Sequence, residues 1–155
     1  MLSLTKEQVK NFLAQHNQMV IATYGDHPWI ATVYYSFDDD LNLYFLSSPT
    51  TLHARHIAEN KNIAVAISKE QKITSRKQGL QLYGYVHQIT KAELIKHALR
   101  HWKDALSVTD PELNYENMIK KVVNGRMYKI IPKKIKLFHE GLFDVDDGEE
   151  PTLEL

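Results

Sequence analysis

The sequence predicts a mainly β domain with α insertions, built as a small antiparallel barrel. Three segments, "MVIATY", "WIATVYYSF" and "LNLYFLSS", follow one another closely and are rich in β-branched and aromatic residues. Only the turn sequences "GDHP" and "DDD" divide them. Two further strand pairs come later. The order is helix, three strands, helix, two strands, helices, two strands, and no pair is joined by the regular helical crossovers of a parallel sheet.

The opening helix is expected over residues 4–16, where Leu4, Val9, Phe12 and Leu13 recur at helical spacing and Thr5 with Gln8 forms a capping box. The three segments after it read as an antiparallel meander. A second helix should follow Pro49 and run to about Asn60 on a stripe of Leu52, Ile57 and Ala58. "NIAVAISK" reads as a buried strand, and the polar loop "KEQKITSRKQ" separates it from "GLQLYGYVHQI". In that later strand Leu80, Leu82 and Val86 alternate with Gln81, Tyr83, Tyr85 and His87, so one face is core and the other polar and aromatic. Gly84 among them marks a sharp bend or the close approach of another backbone or a ligand.

Thr90 and Glu93 form a second capping box, opening a helix to about Leu106 on Leu94, Ile95, Ala98, Leu99 and Trp102. A shorter helix follows Pro111. "RMYKII" and "KIKLFHE" complete the strands. Residues 1–140 are expected to form a single domain, and 141–155 an acidic tail that is partly disordered.

With 155 residues the chain has the size of one domain that buries roughly 70% of its unfolded surface. Its 19 basic and 19 acidic residues cancel, which excludes a general basic field for nucleic acid but leaves room for a local basic pocket. There is no cysteine, so disulfides, thiolate metal sites and a cysteine nucleophile are excluded. Lys6, Glu7 and Lys10 interrupt the apolar residues of the first segment, unlike a secretory signal or a membrane span, and a cytoplasmic protein is expected.

The stretch with the most chemical promise is "LSSPTTLHARHIAENKNIAVAI", residues 46–67. Ser47, Ser48, Thr50 and Thr51, with the first free N–H groups of the helix, can receive a phosphate, the helix dipole adding about 0.3–1 kcal/mol. His53 and Arg55 could add positive charge. The simpler alternative is an N-cap at Thr50 or Thr51, with His53, Arg55 and His56 on solvent. His97 and His101 stand four apart, yet no acidic residue completes an H-E-x-x-H pattern and Arg100 opposes a cation, so no metal site is expected. Asp38, Asp39 and Asp40 suit a hairpin turn. No G-x-S-x-G, G-x-x-x-x-G-K-[ST] or G-x-G-x-x-G signature occurs, so no catalytic residue is assigned, and any chemistry falls to a bound organic cofactor.

"ATVYYSFDDDLNLYFLSS", "TTLHARHIAENKNIAVAI" and "GLQLYGYVHQI", in this order and at these spacings, resemble the pyridoxamine 5′-phosphate oxidase-like, FMN-binding split β-barrel superfamily, most closely a branch of small bacterial proteins. The resemblance spans nearly the whole chain. It implies an antiparallel split β-barrel of about six to seven strands with flanking helices. It also implies FMN as cofactor and a homodimer with cofactor sites at the subunit interface, partly burying Trp29, the tyrosine-rich strand faces and the helix that bears Trp102.

By the same resemblance the FMN phosphate falls to Ser47, Thr51 and His53. The family's strand arginine lands on Ala31, and its Ser-Arg-Lys run on Thr51, Leu52 and His53, so cations are missing where a charged hydrogen bond is worth about 1.5–3 kcal/mol. Arg55, Lys72 or Arg76 could compensate. Thr32, Val33 and Tyr34 fall beside the isoalloxazine ring, and Gln81, or in another register Gly79, at its edge. Tyr83 and Tyr85 either flank a ring or pack at the subunit boundary.

Two functions compete. The first is an FMN-dependent oxidoreductase passing electrons between a reductant such as a nicotinamide nucleotide and a small acceptor. The second is a non-catalytic protein that holds haem or another planar cofactor on the same barrel, favoured by the missing cations and by histidines able to serve as axial ligands. A ligand-free interaction module is a third. Oxidation of pyridoxamine phosphate itself is disfavoured, because the family's C-terminal arginine-containing motif is not evident in "KIKLFHEGLFDVDDGEEPTLEL". No nucleic-acid, metal or membrane partner is expected.

Overall fold

A computed structural model describes residues 3–70, 72, 77–89, 92, 126–143 and 151–155. The helices expected from Thr90 onward and after Pro111, with Arg76, His97, His101 and Trp102, lie outside these residues. The described elements are α1 (Lys6–Ala14), β1 (Gln18–Tyr24), β2 (Pro28–Tyr34), β3 (Ser36–Phe37), β4 (Leu43–Ser47), α2 (Leu52–Glu59), β5 (Asn62–Ser68), β6 (Gln78–Ile89), β7 (Arg126–His139) and β8 (Thr152–Glu154). The strands form one antiparallel sheet in the order β2-β1-β5-β6-β7-β4-β3, with β8 beside β7. Curled around one core, it is the expected mainly β architecture, and its strand number exceeds the expectation by short pieces such as β3 and β8.

The capping box opens α1 as expected: Thr5 Oγ1 accepts from the Gln8 N–H at 3.2 Å, and Gln8 Oε1 accepts from the Thr5 N–H at 2.9 Å. Val9, Phe12 and Leu13 then face the core. Each such side chain, fully buried, contributes about 1.5–3 kcal/mol of transfer free energy.

The meander does not form as expected. Among the described residues β2 pairs only with β1, while β3 and β4 make a separate hairpin at the far end of the sheet order, beside β7. The break falls at Tyr35. Its side chain is buried, its hydroxyl donates to the Leu13 carbonyl at 2.7 Å, and its N–H donates to the Asn17 carbonyl at 3.0 Å. Making these bonds takes the backbone out of the line of β2. The aspartates do form the turn: the Asp38 carboxylate accepts from the Asp40 and Asn42 N–H groups and from the Tyr44 hydroxyl, and Leu41 takes a positive φ of 68°.

α2 presents a different stripe from the one its apolar residues suggest. His53, Ala54, His56 and Ile57 are buried, Leu52 is half-buried, and Ala58 and Arg55 are exposed. Both histidines turn inward because each finds a hydroxyl there, His56 at Thr23 and His53 at Ser47.

β5 is not buried on both faces. Ile63, Val65 and Ile67 point inward while Ala64 and Ala66 are exposed. On β6, Leu80, Leu82 and Val86 point inward and Tyr83 and Tyr85 outward, as the alternation implies. The two last strands of the sequence reading are one continuous β7 through Pro132. Opposite Pro132 the register shifts at Tyr83/Gly84, and a Cβ on Gly84 would run into the Ile131 carbonyl oxygen, so close backbone approach explains this glycine. β4 covers β7 from Arg126 to Ile130, and β8 covers Lys134 to Lys136.

Candidate functional site

Ser47 ends β4, and Thr51 caps α2 with its Oγ1, which accepts from the Ala54 N–H at 3.3 Å and donates to the Ser48 carbonyl at 2.8 Å. His53, only 8% exposed, points Nε2 at both residues, 2.5 Å from Ser47 Oγ and 3.2 Å from Thr51 Oγ1. The two hydroxyl oxygens are 3.3 Å apart. Ser47, Thr51 and His53 therefore meet at one point, and the solvent-facing alternative fails for both His53 and His56. Arg55 is not brought to them: one residue after a buried position on a short helix, it projects to solvent.

Burial lowers the pKa of His53, and the neighbouring His56 adds to the effect. The imidazole is thus neutral near pH 7, with one ring nitrogen donating and the other accepting.

Sequence reasoning missed Arg126. It opens β7 directly opposite Ser47 in the β4–β7 ladder, and opposed residues of an antiparallel pair project from the same face. The next pair on that face, Phe45 and Tyr128, stacks at 5.1 Å between ring centroids. Nothing local in "RMYKII" reveals that this strand lies beside β4, so no signal in the sequence pointed to Arg126.

The outer face of the sheet carries a second feature. Two cross-strand rows run over five strands, Ile30–Ala22–Ala64–Tyr83–Lys134 and Thr32–Val20–Ala66–Gln81–Lys136. Small side chains in the middle and longer ones at the ends leave a groove of about 450 Å³ lined by both rows except Thr32. Gln81 lines the groove and Thr32 shares its row, whereas Val33 turns to the core, because successive side chains of a strand alternate. The Val33 side chain is thus on the face opposite the groove. Tyr34 is exposed, as are Trp29 and Ile30 on the same strand.

Behind α2, His56 Nδ1 bonds Thr23 Oγ1 at 3.0 Å, and its ring lies against Gly25, where a Cβ would fall 2.5 Å from the ring carbon Cδ2. Among the described residues no three histidines or carboxylates come together to hold a metal ion, and no helix is long and apolar enough to cross a membrane.

The family model described as pyridoxamine 5′-phosphate oxidase matches residues 5–123. The chain is similar to the UPF0306 protein PM1958 of Pasteurella multocida, with 28% identity over 122 residues that span 73% of this chain and 82% of that one. Its structure is similar to that of the conserved hypothetical protein Rv2991 from Mycobacterium tuberculosis, with a TM-score of 0.77 at 11% identity over 92% of this chain and 91% of the other. It is also similar to HutZ, the haem storage protein from Vibrio cholerae, with a TM-score of 0.68 at 14% identity over 89% and 95% of the two chains. At such identities the structural likeness is one of fold.

Proposed function

Since the chain belongs to the pyridoxamine 5′-phosphate oxidase family of split barrels, we propose that it binds FMN and acts as a flavin-dependent oxidoreductase on a small molecule. The observation that carries this reading is the convergence of Ser47, Thr51 and His53 at the N-terminus of α2. Two hydroxyls, the free N–H groups of the first helical turn and an imidazole are a donor set suited to a phosphate. Arg126, on the face of Ser47, supplies the fixed charge that Ala31 and Leu52 lack.

Thr32, the β2 backbone at Val33 with Tyr34, and Gln81 are the residues that would contact the ring, and the groove has the volume of a small-molecule site. Flavin, when bound, supplies the redox chemistry. The chain anchors it, orients it and limits water around it.

Trp29, Ile30, Tyr34, Tyr83 and Tyr85 expose large apolar surface, and patches of this kind are usually covered. A two-fold homodimer with the cofactor sites at its interface covers them. The absence of cysteine suits a cytoplasmic setting.

A second reading is a non-catalytic holder of haem or another planar cofactor. The likeness to a haem storage protein and the apolar residues at Ala31 and Leu52 favour it. A visible spectrum of freshly purified protein, with mass analysis of what denaturation releases, separates the two. Flavin bands that bleach with NADH or NADPH support the first, a Soret band that shifts on titrating haem supports the second, and colourless protein that refuses added FMN rules the first out.

A further inference from the structure

We propose that His56 and His27, completed by Asp26, form a binding site for a divalent transition cation such as Zn²⁺, between α2 and the turn that joins β1 to β2. The site is on the opposite face of the sheet from the groove. Ala22 and Ile30 line the groove, and Thr23 with Trp29, the next pair of the β1–β2 ladder, projects from the other side. The inference is independent of the flavin reading, because His53, one turn earlier on α2, is already engaged with Ser47 and Thr51.

The His56 ring is held as metal-binding imidazoles are held. Its Nδ1 bonds Thr23 Oγ1 at 3.0 Å, and both side chains are buried, His56 at 4% exposure. Nε2, at the other end of the ring, is buried with no hydrogen-bond partner. With Nδ1–H donating to Thr23, Nε2 carries a bare lone pair; the opposite tautomer would bury an N–H without an acceptor, which folded chains rarely do. A histidine ligand has this form, one nitrogen fixed by a hydrogen bond and the other free for the ion. Gly25 stands at that edge of the ring, where a Cβ would fall 2.7 Å from Nε2, so no side chain fills the space beside the lone pair.

His27 is a second ring in the same form. Its Nδ1 lies 3.0 Å from the Pro28 carbonyl, which can only accept, so in the neutral ring the proton is on Nδ1 and the Nε2 lone pair is free. The two ring centres are 5.7 Å apart, with their planes at 77°. Two imidazoles on one tetrahedral ion, with metal–nitrogen bonds of about 2.0–2.1 Å, have centres roughly 5–6 Å apart. Asp26 brings the third donor, its Oδ1 3.7 Å from His27 Nε2. The side chains of Asp26 and His27 are 88% and 50% exposed on the turn, which leaves them free to close on an ion that His56 holds. The rings are preset and the carboxylate must swing in, so the site forms on binding, in keeping with the absence of a ready three-ligand cluster among the described residues.

The donor set selects the cation. Two imidazole nitrogens and one carboxylate suit Zn²⁺, Ni²⁺ or Cu²⁺, whereas Mg²⁺ and Ca²⁺ prefer oxygen ligands. Bound there, the ion pins the turn to α2 and stabilises the folded chain by mass action.

The test is calorimetric titration of the full chain, tag-free and stripped with a chelator, with Zn²⁺, and with Co²⁺ as a visible-absorption probe of nitrogen ligation. The parent should take up one Zn²⁺ per chain, show tetrahedral Co²⁺ bands, and melt at a higher temperature with Zn²⁺ but not with Mg²⁺. His27→Gln, at an exposed position, should raise the dissociation constant for Zn²⁺ at least about tenfold and remove the thermal shift, and Asp26→Asn should raise it less. His56→Gln should remove binding altogether; should that variant not fold, His27→Gln decides alone. A parent protein that binds no Zn²⁺, or a His27→Gln protein that binds it as tightly as the parent, overturns the site. Loss of binding in His97→Gln/His101→Gln also overturns it, because the ion would then belong to that i, i+4 pair.

Discussion

His53 Nε2 lies 2.5 Å from Ser47 Oγ in surroundings that leave the imidazole 8% exposed. Burial keeps this ring, at the entrance of α2, in its neutral form near pH 7. If the proposed phosphate binds there, the charge state of His53 follows its binding.

FMN affinity should strengthen as pH falls from about 8 to 6. Burial and His56 hold the free ring's pKa below 6.5, and a bound phosphate favours the imidazolium and raises it, so binding takes up a proton. Calorimetry in two buffers of different ionisation enthalpy measures that uptake. His53→Gln should abolish the part due to this residue, and equal uptake by variant and parent would speak against it.

Fold stability should run with pH in a related way. Burial lowers the pKa of His16, His53 and His87, so each binds protons more readily in the unfolded chain than in the folded one. Their contribution is present above the unfolded value of 6.5 and is lost as pH falls from there toward the folded values. Thermal melts between pH 8 and 5 should show a falling Tm below pH 6.5, with a smaller fall in His53→Asn.

Arg126→Gln should weaken FMN binding about 10–100-fold, the loss of a charged hydrogen bond of about 1.5–3 kcal/mol, and Arg126→Lys should cost less. Leu52→Arg, which restores a cation in the first turn of α2, should recover part of the loss. Flavin fluorescence quenching gives the dissociation constants. An Arg126→Gln protein that binds FMN as tightly as the parent removes this residue from the site.

Gly25→Ala should destabilise the fold by about 1–3 kcal/mol, because the new methyl meets the buried His56 ring. The same change in a His56→Ala background should cost little. Chemical denaturation of the four proteins in the cycle yields the coupling, and additive effects would mean that the turn relaxes away from the ring.

Ala66→Leu points outward from β5 and fills the groove floor without entering the core. It should lower the amount of planar cofactor retained on purification by at least about tenfold, in line with the steric cost of overpacking. Ser68→Leu, exposed on the same strand but outside the groove lining, is the control.

What could be read from the sequence was what its neighbours in the chain decide. The Thr5–Gln8 box, the Asp38 turn and the alternation of Leu80, Leu82 and Val86 each depend on residues a few positions apart or on a strand's own period, while Gly84 showed as a glycine out of place in a strand although the Ile131 carbonyl that demands it lies on β7. The inward turn of His53 and His56 escaped because a polar ring is counted with the solvent face until its hydroxyl partner, on another strand, is known. Tyr35 broke the meander through a bond to Leu13 that no strand propensity contains. The meeting of Ser47, Thr51 and His53 came from family likeness, and Arg126 from neither, since the sheet order that sets it opposite Ser47 is a property of the whole fold.

β8 has a bearing on handling the protein. The Leu137 N–H donates to the Pro151 carbonyl at 3.1 Å and the Leu155 N–H to the Lys133 carbonyl at 3.0 Å, so these last residues occupy the side of β7 that β4 does not reach. Without them a run of bare backbone flanked by Ile135 and Leu137 would be open to another chain's strand. Displacing β8 from β7 would thus seed filaments or precipitate in storage.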